Sequence, residues 1–155
     1  MKNEQGFSLV ELLIVVAIIA IIAAIAVPSL LTSRQAANEA GAIQGCRTIG
    51  SAEIAYAATN NQLFTDTTTL SNLNFLDPRF SAAANVINGY TYPSGAVGTF
   101  AQNLPTGFAY QAAPATGMGR FTYGIGPDQV VRYVGAVAPA TLPGTAVAGD
   151  PIGKQ

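Results

Sequence analysis

The sequence predicts an α+β fold, with one long N-terminal helix packed on an antiparallel β-sheet of about four strands. Three observations predict it. An apolar run of 16 residues, Leu12 to Val27, lies near the N-terminus, and an alanine-rich stretch carries helical composition on to about Thr59. Beyond that come short runs with aromatics at alternate positions, which is strand periodicity. Composition closes other classes. Half of the 155 residues are hydrophobic and 10% are charged, so the apolar residues are unevenly distributed. With no His and one Cys, Cys46, the chain has too few ligands for a His/Cys zinc site, no Cys-His nucleophile pair and no intramolecular disulfide. Seven basic against eight acidic residues leave a net charge of -1, which offers no strong nucleic-acid site.

From Phe7 to Val27 there are 21 positions and one charge, Glu11. That length crosses a hydrocarbon core of about 30 Å as a helix. A soluble core helix would show a polar face, whereas this one is apolar all round. A secretory signal peptide is the competing reading, with Ala23-Ala24-Ile25-Ala26 as its cleavage site. Against it stand the helical pattern that continues beyond the run and an acidic residue where a signal sequence carries basic ones.

The stretch Gly6-Phe7-Ser8-Leu9-Val10-Glu11-Leu12-Leu13 resembles the class III signal of bacterial type IV pilins and type II secretion pseudopilins. The resemblance implies that Met1 to Gly6 is a leader removed by a prepilin peptidase and that Phe7 becomes an N-methylated N-terminus. It places Glu11 at the family's glutamate position and Pro28 at the proline of the pilin helix, and it implies the pilin fold. The match is close over residues 1 to about 58 and holds only in outline beyond. Many members of the family carry two cysteines that close a C-terminal loop; this chain, with Cys46 alone, departs from that pattern.

The residues carry their own chemistry. Gly6 offers no side chain to obstruct a peptidase. Glu11 needs a positive partner, because a carboxylate at membrane depth costs about 2.5–3.5 kcal/mol at the helix centre. No Lys or Arg occurs between Lys2 and Arg34, so the mature chain offers only the α-amine of Phe7. That amine can come from the same chain, one turn away and helped by the helix dipole. Alternatively it comes from a neighbouring subunit, where the pair would set the axial register of a bundle. Pro28 removes a donor and crowds the turn before it, so the helix should kink or open there. Either it marks the membrane exit or, as the resemblance implies, the segment from Ala20 to Pro28 stretches during assembly.

Residues 29–58 read as the amphipathic half of the helix, with a weak stripe of Ala36, Ala40, Ile43, Cys46, Ile49 and Tyr56. Gly41, Gly45 and Gly50 each cost about 1 kcal/mol relative to Ala, which suggests either close helix contacts or a loosely packed helix. Cys46 reads as a small buried hydrophobe. From Phe7 to Thr59 such a helix would span on the order of 80 Å.

Residues 59–138 read as loop and sheet, opening with a polar linker from Thr59 to Ser71. The strand candidates are Gly89–Tyr92, Gly107–Ala112, Arg120–Tyr123 and Val130–Val134, with a turn at Gly126-Pro127-Asp128-Gln129. Their aromatic pairs should face the Ile43, Cys46, Ile49 and Tyr56 side of the helix. Leu73, Phe75, Leu76 and Phe80 should cover the edge of this core. Residues 139–155 hold three prolines and three glycines and read as an extended tail.

The expected function is therefore structural and not enzymatic, without cofactor or metal. The resemblance implies the major subunit of a type IV pilus, inserted in the inner membrane as a precursor and displayed at the cell surface once assembled. Its partners would be itself, as a homopolymeric filament, the prepilin peptidase and methyltransferase, and the inner-membrane assembly machinery. Two alternatives remain: the major pseudopilin of a type II secretion system, and a membrane-anchored binding module that never polymerises. Pseudopilins often hold calcium in an acidic C-terminal loop, and beyond Asp77 this chain has only Asp128 and Asp150.

Overall fold

The computed structural model describes residues 7–81, 85–92, 107–135 and 150–152, which fall into two compact units, Met1–Arg34 and Gln35–Gln155. The elements are α1 (Leu9–Thr59), α2 (Thr67–Asn72), a 3-10 turn (Pro78–Phe80) and strands β1 (Val86–Ile87), β2 (Tyr90–Thr91), β3 (Tyr110–Pro114), β4 (Phe121–Ile125), β5 (Arg132–Gly135) and β6 (Asp150–Pro151).

In the first unit α1 runs as helix through Pro28, so the local opening expected there is not a break in secondary structure. The proline costs one backbone donor, and the following turn is rich in side-chain bonds. The hydroxyls of Thr32 and Ser33 both donate to the Ser29 carbonyl, each at 2.9 Å. Back-bonding of this kind competes with the helix ladder and commonly bends it.

In the second unit the buried face of α1 is Glu39, Ala42, Cys46, Ile49, Glu53 and Ala57, advancing in steps of three and four residues as one helix stripe must. Ala36 and Ala40, expected on that stripe, are exposed. At the level of Ala36 the helix meets only a turn, through polar side chains. Ala40 lies about 100° round from Glu39, off the buried face.

The six strands form one antiparallel meander in chain order, two more than expected. β1 and β2 are joined by Asn88 and Gly89 at φ 50° and 75°, the left-handed pair that an Asn-Gly hairpin turn requires. Each arm is only two residues long, too short to show as a periodic run. β6 arises in the segment expected to be a tail and pairs with β5, Tyr133 opposite Asp150 and Arg132 opposite Pro151. A proline is tolerated there because the strand is at the sheet edge. Two further expectations shift. The segment expected as a polar linker contains α2, whose N-cap Asp66 accepts from the Thr69 N–H at 2.8 Å. Leu73 is not a cover of the core: it is exposed, just past the end of α2.

The aromatic pairs face α1 as expected. Tyr90, Tyr92, Phe108, Tyr110 and Tyr123 are buried with Ala42, Cys46, Ile49, Leu70, Leu76 and Phe80, while Ile43 and Tyr56 pack against that cluster. Edge-on ring contacts at 5.0 Å, Phe64 on Phe108 and Phe80 on Tyr92, close the core. The α1 glycines serve this contact. A β-carbon on Gly45 would lie 2.6 Å from Cζ of Tyr92, and one on Gly50 2.7 Å from Cδ1 of Ile125. They admit the sheet's side chains rather than a second helix. Cys46 is fully buried, and burial pushes its thiol up to about 12, so it behaves as a small hydrophobe.

The β3–β4 turn is clasped to α1 by three polar side chains. Gln35 donates to the Gly117 carbonyl at 3.2 Å, and Asn38 to that of Met118 at 2.9 Å. The Glu39 carboxylate accepts the Arg120 backbone N–H and Nε, both at 3.0 Å, and Nη2 at 3.1 Å. Those bonds outweigh the cost of burial and hold the Glu39 carboxyl below its ordinary range.

Candidate functional site

The segment singled out by sequence begins in the first turn of α1. Gly6 lies outside the described residues. Phe7 and Ser8 precede the helix, and the Phe7 side chain is 83% exposed. Ser8 accepts the Leu12 N–H at 3.3 Å through its carbonyl, while its own N–H donates to Oε2 of Glu11 at 2.8 Å. Glu11, at the third helical position, thus reaches back over the helix start and satisfies a donor that the ladder leaves free. The sequence reading sought a partner for Glu11 only among amines. The Ser8-x-x-Glu11 spacing, a capping-box signature, was the signal that could have identified this one.

Glu11 therefore works inside its own chain as a cap, with its negative charge at the positive end of the helix dipole. The arrangement leaves the second carboxylate oxygen, Oε1, without a hydrogen bond among the described residues. Phe7, Ser8 and Glu11 come together in one turn. Pro28 does not join them, since 17 residues of helix put it about 25 Å further along the axis.

Around and beyond Glu11 the surface is uniformly apolar. Every large apolar side chain from Phe7 to Leu31 is exposed, from 47% at Val15 upward, and no 18-residue window of the first unit's helix has a buried share. Full burial of one Val, Leu or Ile side chain is worth about 1.5–3 kcal/mol. A helix carrying so many of them cannot stand free in water. Its length and hydropathy meet the requirement for crossing a bilayer. Among the described residues no group of three His, Cys, Asp or Glu side chains converges on a point that could hold a metal ion.

Comparison with known proteins bears on the same segment. Residues 1–27 match the prokaryotic N-terminal methylation motif. Over 39 residues the chain is 51% identical to the type IV wide pilus major component PilA4 of Thermus thermophilus, a stretch covering 25% of this chain and 30% of that protein. The likeness thus spans under a third of the relative's length. The N-terminal segment thus carries the prokaryotic methylation motif and is similar over 39 residues to a type IV pilus component, and it leads into a long apolar helix with an antiparallel sheet packed on its later turns.

Proposed function

We propose that this chain is the major structural subunit of a type IV pilus, inserted in the inner membrane as a precursor, cleaved after Gly6, N-methylated on Phe7 and polymerised through its apolar helix. The observation that carries the reading is the exposed apolar surface from Phe7 to Leu31, contiguous with the methylation motif. Cleavage ahead of that surface, rather than behind it, keeps it on the product. Lipid covers it in the precursor, and the same surface of neighbouring subunits covers it in a filament. Glu11 has one oxygen, Oε1, without a hydrogen bond among the described residues, and cleavage creates the amine of Phe7 one turn away. In a bundle that oxygen is free to meet the amine of an adjacent subunit.

The relative matched by sequence is named as a major pilus component, which favours a pilus over a secretion pseudopilus. So do the acidic side chains that a calcium loop would use. Beyond Asp77 only Asp128 and Asp150 remain, and Asp128 is already paired with Arg132 at 2.6 Å.

The test is intact mass and electron microscopy of material sheared from native cells. Filaments built from a subunit that begins at methylated Phe7 are expected; processed subunit confined to the envelope would instead assign the pseudopilus. Within that experiment Glu11→Ala should leave leader cleavage largely intact and reduce filament yield by tenfold or more. Normal yield would remove Glu11 from assembly and leave it as a helix cap only.

A further inference from the structure

The buried stripe of α1 carries a second glutamate that the assembly reading does not use. Glu53 is fully buried. Its Oε2 accepts the Thr65 N–H at 3.2 Å, and its Oε1 lies 2.7 Å from the Tyr110 hydroxyl. That hydroxyl lies equally close, 2.7 Å, to the carbonyl oxygen of Thr65. Here the count of hydrogens decides the protonation state. A tyrosine hydroxyl has one hydrogen to donate, and a backbone carbonyl can only accept. If Glu53 were a carboxylate, two acceptors at hydrogen-bond distance would compete for that one hydrogen. A proton on Glu53 makes both contacts full two-centre hydrogen bonds, Glu53 donating to the tyrosine oxygen and the tyrosine onward to Thr65, whereas a carboxylate leaves the two acceptors one hydrogen to share.

The surroundings agree. Among the described residues no cation pairs with Glu53: Arg79, Arg120 and Arg132 are committed to Asp77, Glu39 and Asp128, and Arg34 and Arg47 on α1 make no ion pair with it. The titratable groups that act on it are Tyr110 from β3 and Asp66 from the segment entering α2, and Asp66 adds repulsion. The Phe108 ring packs 5.7 Å from that of Tyr110, and the Phe64 ring packs edge-on against Phe108.

We propose that Glu53 is a neutral carboxylic acid in the folded subunit, the first donor of a chain from Glu53 through Tyr110 to the Thr65 carbonyl that latches β3 and the segment before α2 onto α1 and opens when that proton is lost. The latch spans three separate parts of the second unit. Residues 60–66 are otherwise held by Asn60 and Gln62, which bond back to the end of α1, and by Phe64, which packs edge-on against Phe108.

The sign of the pH effect follows. Burial pushes the Glu53 carboxyl up to about 7, against the Thr65 N–H and against the bond that Tyr110 donates to the carboxylate once the proton is lost, both of which favour the charge. The folded state therefore holds this proton more tightly than the unfolded state. Its stabilisation is complete below the unfolded value of 4.5 and fades as pH rises through about 7. Carboxylates held low by arginine bonds, Glu39, Asp77 and Asp128, act in the opposite sense and only in acid. The chain has no histidine, so no other side chain of ordinary pKa titrates between pH 5 and 8.

The experiment is denaturant unfolding of the full chain in detergent micelles, followed by the near-ultraviolet circular dichroism of its tyrosines, from pH 5 to 8. The folding constant of the native sequence should fall by up to about tenfold per pH unit toward pH 7. Glu53→Gln, whose amide donates to Tyr110 and accepts from Thr65, should stay folded and give a flat profile. A flat native profile, or the same descent in Glu53→Gln, would overturn the latch. If Glu53→Gln does not fold, infrared spectroscopy of the native chain decides. A protonated-carboxyl stretch present at pH 6 and lost through about pH 7 supports the proposal, and its absence at pH 6 refutes it.

Discussion

Glu39 and Glu53 occupy the same face of α1, fourteen residues apart, yet the protein holds them in opposite states. Each stands where the three-and-four spacing of Ala42, Cys46 and Ile49 calls for an apolar side chain. That interruption was readable from the sequence, although the expected stripe passed over both. What was not readable is the partner. Arg120 reaches Glu39 across 81 positions of chain, while Tyr110 reaches Glu53 across 57 and brings no charge. For Glu39 the lowered carboxyl means stability that is present above the unfolded value of 4.5 and lost as pH falls through the folded value. Glu39→Gln should therefore lower the unfolding midpoint at pH 6 and flatten the decline below pH 4.5. Thermal unfolding of both chains across that range checks this; parallel acid limbs would show that the Arg120 pair contributes nothing. The arginine end is solvent-exposed and screened, so the three bonds at the buried carboxylate carry the effect.

At the scale of the element, the glycines of α1 show how one residue answers to two demands. Replacing a helical glycine by alanine gains about 1 kcal/mol of helix propensity. At Gly45 the added methyl would meet the buried ring of Tyr92, with Cζ at 2.6 Å and Cε1 at 2.8 Å, and overpacking of a core costs about 1–3 kcal/mol. Gly45→Ala should thus destabilise the protein by about 1 kcal/mol or more, the steric cost exceeding the propensity gain. Tyr92→Phe in the same chain should recover part of the loss, because the Tyr92 hydroxyl is the atom nearest the added methyl and has no hydrogen-bond partner among the described residues. Gly41→Ala is the control. It meets the side chain of Asn88, whose amide end at 2.8 Å can swing aside, and should cost less. A double-mutant cycle by urea unfolding separates these outcomes; equal effects at Gly41 and Gly45 would contradict the packing account. Helix and central strands were legible because their periods are long enough to repeat. β1, β6 and α2 were not, since two strand residues hold no alternation and six helical ones make less than two turns.

At the scale of the whole molecule, the chain divides by what each part needs to be buried. All buried core residues lie at or beyond Ala42, and none of the apolar side chains before Gln35 joins them. A chain beginning at Gln35 should accordingly be soluble without detergent, elute as a monomer and keep the near-ultraviolet signal of its buried tyrosines. The full chain should need detergent or lipid. Size-exclusion chromatography with circular dichroism tests this, and an aggregated or tyrosine-disordered fragment would show that the first unit is required for folding. By itself the sequence determined the apolar segment, the N-terminal methylation motif, the helix that follows and the side of it that faces the sheet. Those are local matters: composition, spacing and helical or strand period are properties of neighbouring residues. Only the tertiary structure decided which glutamate is charged, which glycines are obligatory and which chain segment finishes the sheet. Each of those depends on an atom brought from tens of residues away, and a linear pattern carries no record of that distance.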